Sequence, residues 1–156
     1  MTASQRAFIL LREKKQTVCF AESLTGGLIA ATFIENPGAS AAIGESYVTY
    51  AESAKQRLLG VKKETLETEG VVSAACAAEM AAGARIRSGA DWSASATGLA
   101  GPDGGTEKTP VGTVFIGVSS ANGTISREFH FSGDRMQVRL HAVEAALNLL
   151  AEEMEV

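Results

Sequence analysis

The stretch Ala21-Glu22-Ser23-Leu24-Thr25-Gly26-Gly27 separates an apolar run at residues 17–21 from a second apolar run at residues 28–34. The first run is short, as in a buried strand, and the second favours a helix. A strand, a Ser/Thr/Gly turn and a helix in this order place hydroxyls and free backbone N–H groups at a helix N-terminus. Such a terminus attracts anions, because its N–H groups lack partners within the helix and the helix dipole is positive there. Ser23 or Thr25 is therefore predicted either to contact a ligand or only to cap the helix.

Outward from this turn, helical and strand patterns alternate along the chain. Predicted helices cover residues 3–14, 28–34, 51–60, 64–69, 73–87 and 135–153, and predicted strands cover residues 17–21, 47–50, 91–97, 112–119 and 126–131. The final helix is predicted to bury one stripe, consisting of Met136, Leu140, Val143, Leu147 and Leu150. Asn122-Gly123 between the last two strands is typical of a hairpin turn, so that pair is expected to be antiparallel.

These elements predict an α/β fold, with helices packed on both faces of a mixed, mostly parallel sheet that ends in a C-terminal β-hairpin and a final helix. The length fits one domain over residues 1–156. Neither a linker nor an internal repeat interrupts the pattern.

Composition and charge limit the classes of partner. With 46% hydrophobic residues and a net charge of −4, the chain lacks the basic surface that nucleic-acid binding requires, although one or two arginines could hold a small anion. Cys19 and Cys76 fall in apolar or alanine-rich runs, which favours buried thiols in a reducing compartment. We find no signal-peptide pattern and no run long enough to cross a membrane, so we expect a cytoplasmic protein without a membrane partner.

Polar residues follow three predicted strands, at residues 23–27, 50–55 and 97–105. Parallel strands bring such exits to one edge of a sheet, where a ligand crevice forms. The glycines of residues 97–105 fit simple turns or close backbone approach to a ligand, and no Walker A pattern is present. Arg135 opens the final helix and offers a bidentate donor for a phosphate or carboxylate.

The residue types exclude the commonest nucleophile system and most metal sites. His130 and His141 fall where packed or surface positions are expected, so no Ser-His-Asp set is predicted, and no cluster has metal-ligand spacing. A serine nucleophile then needs another base, and a desolvated lysine is the usual substitute. Lys55 is the candidate, with Tyr50 five residues before it. On pattern alone a solvated helix lysine is favoured, and Tyr50 fits a packed aromatic equally well.

Taken together, five segments resemble the CinA C-terminal domain family, which includes nicotinamide mononucleotide (NMN) amidohydrolases. They are residues 21–27, 48–50 with Lys55, 97–105, 110–114 and 131–135. The resemblance spans nearly the whole chain. It implies hydrolysis of the NMN carboxamide to nicotinic acid mononucleotide and ammonia, without a cofactor or metal, by a homodimer or larger homo-oligomer.

The resemblance also implies roles for individual residues. Ser23 is expected to be the nucleophile and Lys55 the general base, with Tyr50 assisting proton transfer or holding the lysine. The residues expected to contact substrate are Glu22, Leu24, Thr25, Gly26, Gly27, Thr97, Gly98, Gly101, Arg135 and Arg139, of which the two arginines are the phosphate candidates. The chain departs from the family at Leu24, where many relatives carry cysteine, and at Ala51-Glu52, which replaces Ser-Asn.

Two other functions are compatible with these residues. One is a non-catalytic nucleotide-binding or regulatory module, linked in name to competence and DNA-damage responses. The other is an amidase that acts on a different small amide. The presence of Ser23, Tyr50 and Lys55 favours the NMN enzyme, and the net acidity disfavours direct DNA binding.

Overall fold

The computed structural model describes all residues, 1–156. Its helices are α1 (Ala3–Lys14), α2 (Leu28–Phe33), α3 (Glu52–Leu59), α4 (Lys63–Thr68), α5 (Ala74–Ser88) and α6 (Arg135–Glu155). Its strands are β1 (Val18–Glu22), β2 (Tyr47–Val48), β3 (Trp92–Gly98), β4 (Thr113–Ser120) and β5 (Gly123–His130). The predicted alternation of elements is confirmed, and a short 3₁₀ turn at Ala39–Ala41 is the one addition.

The five strands form one sheet in the order β2-β1-β3-β4-β5. β1 pairs in parallel with β2 and with β3, whereas the β3–β4 and β4–β5 pairs are antiparallel. Only β4 therefore runs against the other strands, which confirms the mixed, mostly parallel sheet with its hairpin. As a consequence, β1, β2, β3 and β5 all end at the same edge, where a crevice is expected.

Alternate residues of β1 enter two separate apolar layers. Val18 and Phe20 pack with residues of α1, α2 and α6, whereas Cys19 and Ala21 pack with residues of α3, α4 and α5. This alternation follows from the two-residue period of a strand. It confirms that helices cover both faces of the sheet, and Cys19 is a buried free thiol, as predicted.

Small side chains bring α5 close to the sheet. The Ser93 hydroxyl donates to the Ala81 carbonyl at 2.5 Å, and the Ser95 hydroxyl donates to the Ala77 carbonyl at 2.6 Å. The predicted cap is also present, since the Ser73 hydroxyl accepts a hydrogen bond from the α5 backbone. These bonds hold the N-terminal half of α5, and the segment that precedes it, against the middle of the sheet.

Two residues of the predicted α6 stripe are not in the core. Met136 is 49% exposed and Leu140 is 51% exposed, while Val138 and Ala142 are buried in their place. The predicted stripe consists of large side chains that repeat every seven residues. The face of a straight α-helix rotates by about 20° per heptad relative to such a repeat, so the repeat does not stay on the buried face along the whole of α6. Neither α6 nor any other helix combines the length and the apolar character that a membrane crossing requires.

The hairpin between β4 and β5 is tighter than predicted. Gly123 already pairs with Ser120 in the antiparallel ladder, so only Ala121 and Asn122 connect the strands. The Asn-Gly pattern correctly predicts the hairpin, but β5 begins at Gly123 rather than at Ser126.

Candidate active site

The Ser23 turn lies where β1 leaves the sheet. The Ser23 backbone N–H donates to the Ala96 carbonyl of β3 at 3.1 Å, which holds the start of the turn against the sheet edge. Gly26 and Gly27 have φ angles of 56° and 103°, in the left-handed region that glycine adopts without a steric penalty. The chain can therefore reverse into α2 immediately after Ser23.

Glu22 does not reach the substrate region, which corrects its predicted role. Its side chain is fully buried, and its carboxylate accepts hydrogen bonds from the backbone N–H groups of Gly27, Ile29 and Ala30 at 3.1, 2.8 and 3.0 Å. The N-terminus of α2 is thus occupied by the chain's own anion, which a helix dipole and free N–H groups favour. Glu22 therefore shapes the turn and leaves no anion site there.

Lys55 brings a buried amine to Ser23. Its Nζ lies 3.0 Å from Ser23 Oγ and also donates to the carbonyls of Thr49, at 2.6 Å, and Tyr50, at 3.4 Å. Burial lowers the pKa of the Lys55 amine below its ordinary value of 10.5, and Cys76 and Glu52 partly oppose this change. A neutral amine has two N–H donors for the two carbonyls and one lone pair for the serine hydroxyl. The same three partners also match the three donors of an ammonium group.

Two backbone donors follow the serine. The N–H groups of Leu24 and Thr25 have no hydrogen-bond acceptor within the protein. The Arg139 guanidinium donates to the Leu24 carbonyl, in the same peptide as the Thr25 N–H, at 2.8 Å, and to the Thr25 carbonyl at 3.4 Å. The peptide that carries the Leu24 N–H is held through its Ser23 carbonyl, which accepts from the Gly26 N–H at 3.1 Å. Arg139 and the Gly26 N–H therefore fix the orientation of the turn, as a preorganised oxyanion site requires.

A cleft of about 420 Å³ opens beside the serine and the lysine. Eight of the residues predicted as site residues line it: Ser23, Leu24, Tyr50, Lys55, Thr97, Gly98, Gly101 and Arg135. Five predicted residues lie outside its lining: Glu22, Thr25, Gly26, Gly27 and Arg139. The prediction of substrate contact is corrected for Glu22, whose buried carboxylate is bonded to the backbone of the turn and of α2. For the other four residues, which form or hold the turn beside the cleft, substrate contact stays a prediction.

Arg135 and Tyr50 both line the cleft and are joined by a hydrogen bond. Arg135 Nη1 donates to the Gly101 carbonyl at 2.8 Å, and Nη2 donates to the Tyr50 hydroxyl at 3.2 Å. A cation in the first turn of a helix opposes the helix dipole, so its position in α6 indicates a role in the cleft rather than in helix stability. Tyr50, 65% exposed, contacts Lys55 through its backbone carbonyl, while its hydroxyl contacts Arg135.

Part of the cleft wall is formed by residues that belong to no recognisable sequence motif. Val71 and Val72 precede α5 and reach the cleft because the Thr97 hydroxyl donates to the Val71 carbonyl at 2.8 Å. Glu52 and Asp103 also line the cleft, and both belong to predicted polar strand exits but were not among the predicted site residues. The structure contains no group of three or more His, Cys, Asp or Glu side chains that could hold a metal ion.

Comparison with known proteins places this site in a family. The profile of the CinA C-terminal domain matches residues 2–154. The chain belongs to the CinA C-terminal domain family. CinA-like proteins of Endomicrobium trichonymphae and Thermosynechococcus vestitus are each 48% identical to it over 93% of this chain, and the match covers 34% and 36% of those proteins. The chain thus spans about a third of the length of the curated relatives it matches.

Solved structures of family members share the whole fold. The competence/damage inducible protein CihA of Agrobacterium tumefaciens superimposes with a TM-score of 0.94 at 38% identity, covering 99% of this chain and 94% of that one. A CinA superfamily protein of Escherichia coli gives a TM-score of 0.90 at 35% identity, covering 97% and 90%. The family resemblance and the α/β fold predicted from the sequence are therefore confirmed. The names of these CinA proteins state no reaction.

Proposed function

We propose that this CinA domain hydrolyses the carboxamide of NMN to nicotinic acid mononucleotide and ammonia. The proposal is carried by the 3.0 Å separation of Ser23 Oγ and the buried Lys55 Nζ at the wall of an open cleft. A serine hydroxyl is a weak nucleophile until a base within hydrogen-bond reach takes its proton. An amine whose pKa is lowered by burial is such a base, and it serves without a histidine.

In the first half of the reaction, the neutral Lys55 amine takes the proton of the Ser23 hydroxyl as Oγ attacks the carboxamide carbon. The carbonyl oxygen gains the negative charge, and the free N–H groups of Leu24 and Thr25 donate to it. The C–N bond then breaks, Lys55 returns its proton to the leaving nitrogen, and ammonia departs. Ser23 is left as an ester of the nicotinic acid group.

In the second half, Lys55 is again neutral and takes a proton from a water molecule. The water oxygen attacks the ester carbonyl, the same backbone donors stabilise the second oxyanion, and the bond to Ser23 Oγ breaks. Lys55 returns the proton to Ser23, and nicotinic acid mononucleotide is released. The carbonyls of Thr49 and Tyr50 hold the amine through both halves, because they accept from either protonation state.

Arg135 is the arginine that we assign to the substrate phosphate. It lines the cleft, whereas Arg139 is committed to the carbonyls of Leu24 and Thr25. A guanidinium presents a planar pair of donors that suits a terminal phosphate. This assignment leads us to expect faster turnover of NMN than of NAD, whose two phosphates are joined by an anhydride bond so that neither is terminal, or of free nicotinamide, which has no phosphate.

The proposal is tested by incubating the purified chain with NMN, NAD and nicotinamide in parallel and measuring ammonia and the acid product. We expect stoichiometric ammonia and nicotinic acid mononucleotide from NMN. Ser23→Ala, purified identically, controls for a contaminating amidase. A folded parent chain that binds NMN in calorimetry but releases no ammonia would contradict the enzyme and support the nucleotide-binding module. Hydrolysis of nicotinamide alone would support an amidase for a different small amide.

The rate is expected to depend on pH through Lys55. Only the neutral amine accepts the serine proton, so kcat/KM should rise with pH through the lowered pKa of Lys55 and level off above it. A stopped assay of NMN hydrolysis between pH 5 and 10 measures this rise of kcat/KM. A flat profile over that range is inconsistent with Lys55 as the base.

The same pKa difference has a consequence for folding. Between the lowered pKa of Lys55 and the ordinary value of 10.5, the folded chain binds fewer protons at this amine than the unfolded chain. The contribution of Lys55 to the free energy of unfolding therefore increases as pH rises through that window. In Lys55→Met this contribution is absent, so urea unfolding of the variant and the parent at several pH values isolates it.

A further inference from the structure

Glu52 places an unpaired negative charge at the catalytic end of the cleft. It is the first residue of α3, its carboxylate is exposed, and it makes neither a hydrogen bond nor an ion pair within the protein. Lys55 follows three residues later, and residues at this spacing lie on one face of a helix. Both side chains line the cleft, and the Lys55 amine is already bonded to Ser23 and two carbonyls. The Glu52 charge is therefore available to a bound molecule.

The proposed substrate has a positive charge close to its reacting carbon. In NMN the carboxamide is attached directly to a pyridinium ring, whose nitrogen is quaternary and permanently cationic. When the carboxamide carbon lies against Ser23 Oγ, the ring must occupy an adjoining part of the cleft that Glu52 and Lys55 both line. A carboxylate that lines this space attracts a cationic ring, with the modest strength of a partly solvated charge.

We propose, on the basis of the proposed function, that Glu52 selects substrates whose carboxamide is carried on a cationic ring. Asp103 is the other carboxylate in the cleft, but it follows Gly101, whose carbonyl accepts from Arg135. Asp103 is thus assigned to the part of the cleft that holds Arg135. Glu52 is assigned to the catalytic part, because it shares the first turn of α3 with Lys55 and its charge acts on the Lys55 amine. Glu52 also repels the carboxylate that hydrolysis creates, which favours product release.

A carboxylate in the first turn of a helix also interacts favourably with the helix dipole, and Glu52 raises the pKa of Lys55. The helix-dipole interaction and the raised pKa change the rate for every substrate by the same factor. The ratio of the rates for a charged and a neutral ring is therefore unaffected by them and reports only the proposed role of Glu52. NMN and its 1,4-dihydro form are the matched pair, because they share the phosphate and the carboxamide and differ in ring charge. The carboxamide of the dihydro form is also intrinsically less reactive, but this difference is the same for every variant and cancels when their preferences are compared.

The experiment measures kcat/KM for both ring forms with the parent, Glu52→Gln and Glu52→Asp. We expect the preference for the cationic ring to fall about three- to tenfold in Glu52→Gln, the size of one partly solvated charge at short range. Glu52→Asp should retain most of the preference, and added salt should reduce it in the parent but not in Glu52→Gln. Glu64→Gln is the matched control, since Glu64 is also a first-turn carboxylate but lies outside the cleft.

An unchanged preference in Glu52→Gln overturns the inference, even if both rates fall together. Calorimetric binding of the two ring forms to Ser23→Ala and to Ser23→Ala/Glu52→Gln repeats the comparison without turnover, and the same loss of preference is expected. A parent that hydrolyses neither form contradicts the proposed function, while the binding preference still decides the role of Glu52.

Discussion

Replacement of Lys55 by methionine is expected to lower kcat/KM for NMN by about a hundredfold to ten-thousandfold, the usual contribution of a general base. Methionine is similar in length and apolar, so it fills the same buried space without an amine. Ser23 Oγ then loses the amine that lies 3.0 Å away and that the proposed mechanism uses as its base. Ser23→Ala should show a loss of at least the same size, because it removes the proposed nucleophile. Initial rates of ammonia release measure both.

Folding and coupling controls make this prediction specific. Lys55→Met should still fold, because removal of the desolvation cost of the amine offsets the loss of its hydrogen bonds to the Thr49 and Tyr50 carbonyls, and urea unfolding checks this. The double variant Ser23→Ala/Lys55→Met should be no slower than the slower of the two single variants, since the rate losses of residues that act as a unit do not add. Lys55→Arg should also be inactive, because a guanidinium stays protonated and cannot serve as a base. A folded Lys55→Met within tenfold of the parent would rule out this mechanism.

Replacement of Glu22 by glutamine is expected to lower the free energy of unfolding by about 2–4 kcal/mol, from the unsatisfied buried donors it creates. Both carboxylate oxygens accept backbone N–H groups, from Gly27 and Ile29 on one oxygen and from Ala30 on the other. Glutamine replaces one of the two acceptor oxygens with an NH₂ group, which carries two N–H donors and must face a backbone N–H. Urea unfolding monitored by circular dichroism measures the loss.

The same variant should also lose activity, because α2 and Ser23 are joined by the turn that Glu22 holds. We expect kcat to fall more than the affinity for NMN, since Glu22 lies outside the cleft. Glu13→Gln is the control, because it makes the same Glu-to-Gln replacement at an exposed position of α1. It should leave both stability and rate unchanged. Equal urea midpoints for Glu22→Gln and the parent would show that the buried carboxylate is not needed.

Local patterns along the chain predicted most of the fold. The strand, turn and helix around Ser23, the Ser73 cap of α5 and the β4–β5 hairpin each depend on residues a few positions apart. Short-range sterics and hydrogen bonding decide such features, so they are visible in the sequence. The meeting of Ser23 with Lys55 could also be predicted, because parallel strands end at one edge and the family resemblance singled out both residues.

The partners of the polar side chains were not predictable in this way. A pattern shows that Glu22, Arg135 and Arg139 lie near a strand exit or a helix start, but each has several groups within possible reach. The packing of α6 beside the turn gives Arg139 the carbonyls of Leu24 and Thr25, more than a hundred residues earlier in the chain. The reversal at Gly27 gives Glu22 the N–H groups of α2 and excludes it from the cleft. Such contacts join distant segments, and their geometry depends on how whole elements pack rather than on any local sequence preference.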